Sequence, residues 1–186
     1  MNTRSRTTQL VFSAIMMCLI TIATMFIRVP IPFTQGYAHL GDAMIFLSVL
    51  ILGWRYGAVV AGVGSMLADI LGGYAVWAPW TLCIKSVMAI IMGIFIARAI
   101  KKERSHRFLL FVEVIGMIFA GIFMSAGYYV AEAVIYGNWA TPALAIPWNI
   151  GQFTVGMVVA ITVAAALYKT SAAKYFEYRL DTRTKA

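Results

Sequence analysis

Residues 8–27 read TQLVFSAIMMCLITIATMFI, an apolar run with Arg6 before it and Arg28 after it. A helix needs roughly 20 such residues to cross about 30 Å of hydrocarbon, so this run is long enough for one bilayer span. It follows Arg4 and Arg6 as a signal peptide would, but no small-residue cleavage site closes it before further apolar segments arrive. The expectation is an uncleaved first transmembrane helix.

The same reading recurs along the chain, with spans expected at about 8–27, 40–52, 58–71, 80–100, 108–135 and 148–168. Breakers separate them. Pro30, Pro32 and Gly36 end the first, Gly53-Trp54-Arg55-Tyr56-Gly57 forms a tight turn, and Gly72-Gly73 through Pro79 makes the next loop. Lys101 to Arg107 is a polar run, and Tyr136 to Pro147 carries Gly137, Pro142 and Pro147. The predicted fold is all-α, a six-transmembrane-helix bundle in which residues 1–186 make one membrane domain. The second and third spans are short for full crossings, which points to helices partly buried against neighbours. The fifth exceeds the bilayer and should tilt or protrude.

Composition agrees. Of 186 residues, 62% are hydrophobic and 12% charged, and the mean hydropathy is +0.84. So few charges cannot cover a water-soluble globule of this size. The net charge of +8 would point to nucleic acid in a soluble protein. Here Arg4, Arg6, Arg55, Arg98, Lys101, Lys102, Arg104, Arg107, Lys169, Lys174, Arg179, Arg183 and Lys185 gather on one side of the membrane, against Arg28 alone on the other. Basic loops stay cytoplasmic, so both termini are expected inside and no nucleic-acid partner is expected. Cys18 and Cys83 lie in apolar helices and read as neither a disulfide framework nor a metal cluster.

That orientation gathers the polar residues of the spans into the outer half of the membrane. They are His39 and Asp42, Asp69, Lys85, Tyr128 and Glu132, and Asn149 and Gln152. Charged groups at that depth are costly unless paired or wet, which makes them functional candidates. Asp42, Asp69 and Glu132 read equally as helix-end residues that snorkel to the interface. Lys85 lies deeper and needs a partner, for which all three carboxylates qualify; a bridge that only fixes helix packing is the alternative. Asn149 and Gln152 share a helix face and read as ligand contacts or as an interhelical hydrogen bond. Trp77, Trp80, Trp139 and Trp148 cluster at the outer boundary, against Trp54 on the other side. An aromatic belt explains some; a stacking wall for a flat ligand is the sharper reading.

Catalytic readings fail. His39 and His106 fall on opposite sides of the membrane, so no metal site or acid–base pair includes both. No Gly-x-x-x-x-Gly-Lys-Ser/Thr string exists, so ATP is not hydrolysed by that route. No catalytic residue, metal or cofactor is assigned. Small residues recur at helical spacing: Ala14 and Cys18; Gly57, Ala61 and Ser65; Ala89, Gly93 and Ala97. Such stripes allow close helix approach, mostly internal, though one could meet a partner subunit.

The strings His39-Leu40-Gly41-Asp42-Ala43, Leu52-Gly53-Trp54-Arg55-Tyr56-Gly57-Ala58 and Gly64-Ser65-Met66-Leu67-Ala68-Asp69-Ile70-Leu71-Gly72-Gly73-Tyr74, then Trp77-Ala78-Pro79 and Lys85, resemble substrate-binding S components of energy-coupling factor (ECF) vitamin transporters. The resemblance runs over nearly the whole chain. It implies a multi-pass bacterial plasma-membrane protein that captures a vitamin or precursor from outside. Transport would then need two cytoplasmic ATPases and a transmembrane coupling protein. In that family an Ala-x-x-x-Ala motif on the first helix packs on the coupling protein; Ala14 and Cys18 hold the matching positions, with cysteine for the second alanine. Family pockets use the outer halves of the later helices and are capped by the first loop, residues 29–38 here. Hydroxymethylpyrimidine or pyridoxine is the expected ligand type, riboflavin or another vitamin the alternative. The rivals are an intramembrane enzyme, for which no nucleophile or metal set is visible, and an assembly subunit without a ligand.

Overall fold

The computed structural model describes residues 6–32, 36–101 and 106–178, the side chain of His106 excepted. Arg4, Lys102, Arg104, Arg179, Arg183 and Lys185 of the basic set, and Phe33, Thr34 and Gln35 of the first loop, lie outside the described residues. The helices are α1 (Arg6–Phe26), α2 (Gly41–Leu71), α3 (Ala78–Ile100), α4 (His106–Tyr136) and α5 (Ile146–Tyr168). All five are long and apolar enough to cross a membrane.

The first loop differs from expectation. Strands β1 (Arg28–Pro30) and β2 (Tyr37–His39) pair antiparallel, with Val29 opposite Ala38. Three-residue strands carry too little alternation to be read from sequence. The prolines also sit differently: Pro79 and Pro147 fall in the first turns of α3 and α5 rather than in the loops before them. There the missing N–H has no intrahelical partner to lose and the fixed φ suits a helix start. Residues 141–145, expected as loop, form a short 3-10 turn.

The expected turn at 53–57 shrinks to one residue. Gly53 has φ 76° and ψ 172° while Trp54 onward is helical. Glycine alone takes such a φ without strain. The chain folds back there: a Cβ on Gly57 would lie 3.1 Å from the Val49 Cα, whereas eight residues along a straight helix span about 12 Å. Residues 41–52 and 54–71 therefore pack side by side, and both ends of α2 arrive at the same end of the bundle.

Breaking a helix strands backbone groups, and the C-terminal segment meets them. In an intact helix the Trp54 N–H would donate to the Leu50 carbonyl. Here the Tyr178 hydroxyl accepts from Trp54 N at 3.2 Å, and Tyr178 N donates to Leu50 O at 3.2 Å. One residue thus serves both halves of the lost bond. Glu177 N donates to Ile51 O at 3.1 Å, and the Tyr178 hydroxyl donates to Gly93 O at 3.3 Å. Phe176 and Tyr178 are buried in this strap.

Helix α2 occupies the centre, with 72% of its most apolar stretch buried, against 22% for α1. The buried residues of α1 are Met16, Ile20 and Thr24, one stripe at four-residue spacing. Gly64 receives Ile20 and the Met17 carbonyl, Gly62 faces Leu82, and Gly93 seats Trp54. The small residues of α2 and α3 thus serve internal packing. Ala14 and Cys18 lie on the opposite, exposed face of α1, and Cys83 is exposed too.

Candidate functional site

A cavity opens at the hairpin end of the bundle, with about 410 Å³ of empty space, mouth included. Its lining comes from six places: Ile31, Gly36, Tyr37 and His39 from the hairpin, Asp69 from α2, Tyr74 and Trp77 from the following loop, Thr81 from α3, Tyr128 and Glu132 from α4, and Asn149 and Gln152 from α5. Seven expected residues gather here: His39, Asp69, Trp77, Tyr128, Glu132, Asn149 and Gln152. Tyr37 caps the space and packs on Tyr74, ring centroids 4.7 Å apart. Trp77 packs against Tyr128 at 6.4 Å. One wall is therefore aromatic.

Four expected residues lie elsewhere. Lys85 and Asp42 sit behind the lining, both 0% exposed, as an ion pair. Lys85 Nζ also lies 3.0 Å from Met124 Sδ and 5.3 Å from the centre of the Tyr128 ring. Trp80 is half-buried against the core outside the lining, and Trp148 is 39% exposed on the outside of the bundle. The helical rotation of α5 decides this: Asn149 and Gln152 point inward, and the residue just before Asn149 cannot share that face. Tyr37, Tyr74 and Thr81 were not singled out from sequence. An uncharged tyrosine beside a glycine pair, or a threonine in an apolar helix, gives no charge signal to find it by.

Gln152 ties the hairpin to the buried pair. Its Oε1 accepts from His39 N at 3.0 Å, and its Nε2 donates to Asp42 Oδ2 at 2.8 Å. Both faces of the amide are used, which fixes its orientation. Gly156 lets α5 come this close, since a Cβ there would be 2.9 Å from the Asp42 Cβ. His39 Nδ1 accepts from Gly41 N at 3.0 Å. Burial first, then the Lys85 charge, push the imidazole pKa down from 6.5 to about 3, so His39 is a neutral ring at ordinary pH.

The Tyr37 hydroxyl donates to Asp69 Oδ1 at 2.8 Å. Burial first, then the Asp69 charge, raise the Tyr37 pKa well above its ordinary value, which keeps this donor protonated. The Tyr128 hydroxyl donates to Thr81 Oγ1 at 3.2 Å. Arg28 lies above the rim, its guanidinium 5.0 Å from the Tyr37 ring centre and 5.7 Å from that of Tyr74. It donates from Nε to the Met25 carbonyl. Among the described residues no three His, Cys, Asp or Glu side chains form a metal-sized cluster.

The chain is similar to a Pyrococcus woesei protein described as an uncharacterized protein in a gap 3′ region, with 38% identity over 118 residues, 63% of this chain and 74% of that protein. The fold resembles the solved structure titled "Structure and mechanism of the S component of a bacterial ECF transporter". The TM-score is 0.67 at 21% identity, over 89% of this chain and 98% of that one. The family model for the ECF-type riboflavin transporter S component matches residues 4–169. By that match, spanning most of a chain with five membrane-length helices among its described residues, the protein belongs to the family of ECF transporter S components.

Proposed function

We propose that this chain is the high-affinity capture subunit of an ECF-type ABC importer for a vitamin or vitamin precursor, taking its ligand into the hairpin-end cavity. The observation that carries the reading is the lining: aromatic faces on one side and a few placed polar groups from four helices and a cap, as small flat ligands need. His39, Asp69, Trp77, Tyr128, Glu132, Asn149 and Gln152 are the proposed contacts, with Tyr37, Tyr74 and Thr81 added to them. Asp42 and Lys85 hold the wall from behind. A hydroxymethylpyrimidine- or pyridoxine-sized ring is the first ligand reading. Riboflavin is the second, favoured by the description of the family model.

The topology belongs to the same proposal: six crossings in a bacterial plasma membrane, with both termini cytoplasmic and the cavity outside. The fold-back at Gly53 supports the count, and the one-sided basic residues support the orientation. The exposed face of α1 around Ala14 and Cys18 is the proposed seat of the transmembrane coupling protein, and two cytoplasmic ATPases supply the energy. An assembly subunit without a ligand would have its polar residues paired only among themselves; among the described residues Asp69 Oδ2 and Glu132 Oε2 have no hydrogen-bond partner, which favours capture.

The test has three parts. Mass spectrometry of the purified chain should find a co-purified vitamin-like molecule, and binding should need no nucleotide. Uptake in cells should stop when the partner ATPases are deleted, and a C-terminal reporter should be active only in the cytoplasm. Concentrative uptake by this chain alone, or a C-terminus outside, refutes the reading.

A further inference from the structure

The buried charges of the cavity do not balance. Among the described residues the one ion pair joins Lys85 to Asp42, so the buried cation is already neutralised behind the lining. His39 is neutral. The remaining ionisable carboxyls of the lining are Asp69 and Glu132, 5% and 2% exposed, each with an oxygen that has no hydrogen-bond partner. Asp69 is half-satisfied through Tyr37, with the Thr81 hydroxyl beside it. Arg28 also acts on Asp69 through its charge, but its guanidinium lies over the rings of Tyr37 and Tyr74 and forms no ion pair with Asp69. Among the described residues Glu132 has no hydrogen-bond partner on its Oε2 and no ion pair.

A buried acceptor left open costs free energy that a matching donor recovers. A carboxylate offers acceptor sites only, and two of them face one space. A carbonyl, carboxylate or phosphate brought to the same place would meet them with like polarity. Resting on the capture reading above, we infer that the ligand presents a donor edge to Glu132 and Asp69: an exocyclic amine or protonated nitrogen on a flat heterocycle, with the ring against the aromatic wall. Glu132 is the specificity-determining residue, since it makes the cavity select amino-substituted or cationic rings over oxo-substituted or phosphorylated ones.

The experiment is calorimetry on the purified chain in lipid nanodiscs with matched probes. One pair is hydroxymethylpyrimidine and the analogue whose exocyclic amine is replaced by a carbonyl oxygen. The other is pyridoxamine and pyridoxal phosphate. Riboflavin is measured beside them. The amine member should bind at least about tenfold more tightly within a pair, the scale of one charge-assisted hydrogen bond. Glu132→Gln is isosteric and offers a donor of its own, so it should shrink that preference below about threefold. Circular dichroism establishes that the variant is folded; if it is not, Asp69→Asn carries the comparison. An oxo or phosphorylated member that binds as well as its partner overturns the inference, as does a preference that survives substitution. Riboflavin binding without discrimination inside the pairs overturns it too, while leaving the capture reading intact. If no probe binds, this inference falls, and the mass-spectrometric search for a co-purified molecule decides the capture reading separately.

Discussion

Replacing Lys85 with methionine should unfold the protein more readily rather than empty its cavity. Lys85 and Asp42 are both fully buried and paired, and the Gln152 amide donates to the other oxygen of Asp42. Removing one member of a buried pair leaves an uncompensated charge, at about 3–5 kcal/mol. For a chain of this size 1 kcal/mol moves the unfolding midpoint by roughly 2–4 °C, so Lys85→Met should lower it by about 6–20 °C. The double variant Asp42→Asn/Lys85→Met removes both charges at similar volume and keeps an acceptor for Gln152. It should recover most of that loss, as replaced ion pairs often do. The assay is thermal unfolding in detergent, followed by tryptophan fluorescence, as a double-mutant cycle. Ligand affinity of the folded Lys85→Met protein should change little, because Lys85 is outside the cavity lining. A Lys85→Met protein with an unchanged midpoint and a large loss of affinity would refute this reasoning and make Lys85 a ligand contact.

Three further outcomes follow from the same structure. Tyr178→Phe deletes the hydroxyl that accepts from Trp54 N and donates to Gly93 O; it should cost about 1–3 kcal/mol and speed amide exchange around residues 50–55, read by mass spectrometry. His39 is held neutral with its pKa lowered from 6.5 to about 3, so the unfolded chain binds the proton first. This contribution to stability is complete above about pH 6.5 and is lost as pH falls towards 3. His39→Asn should flatten the fall in midpoint between about pH 6.5 and 5 relative to the parent, and equal slopes would count against it. Ala14→Trp adds bulk to an exposed face of α1 and should impair cellular uptake while leaving binding by the purified chain intact.

Membrane class was legible because hydropathy is a property of whole stretches and survives ignorance of any contact. The turn at 53–57 was legible as a glycine-bounded cluster, but its extent was not, since one positive φ at Gly53 does the work of the expected loop. Lys85 announced that it needed a carboxylate. Which of three it took depends on how α2, α3 and α5 rotate against one another, and that is written in glycines such as Gly156, which are silent until their neighbours are known. Trp148 is the counterpart. Its place at a helix end agreed with a stacking wall, and helix rotation turned it outward. Tyr178 was hidden for another reason: the tail reads as basic, and nothing local says that an aromatic ring there answers a break far earlier in the chain.

That answer also sets a timetable. Leu50 and Trp54 leave the ribosome early, and domains are generally assembled in the order of synthesis. Until Tyr178 has been made, an amide and a carbonyl of the central helix have no protein partner at the fold-back. Open backbone groups are not tolerated in hydrocarbon, so the Gly53 corner must stay at the wet boundary while α3, α4 and α5 are inserted. The corner of the central helix is then among the last parts to be completed, and a nascent chain that stalls before residue 176 leaves it unfinished and open to proteases at the membrane surface.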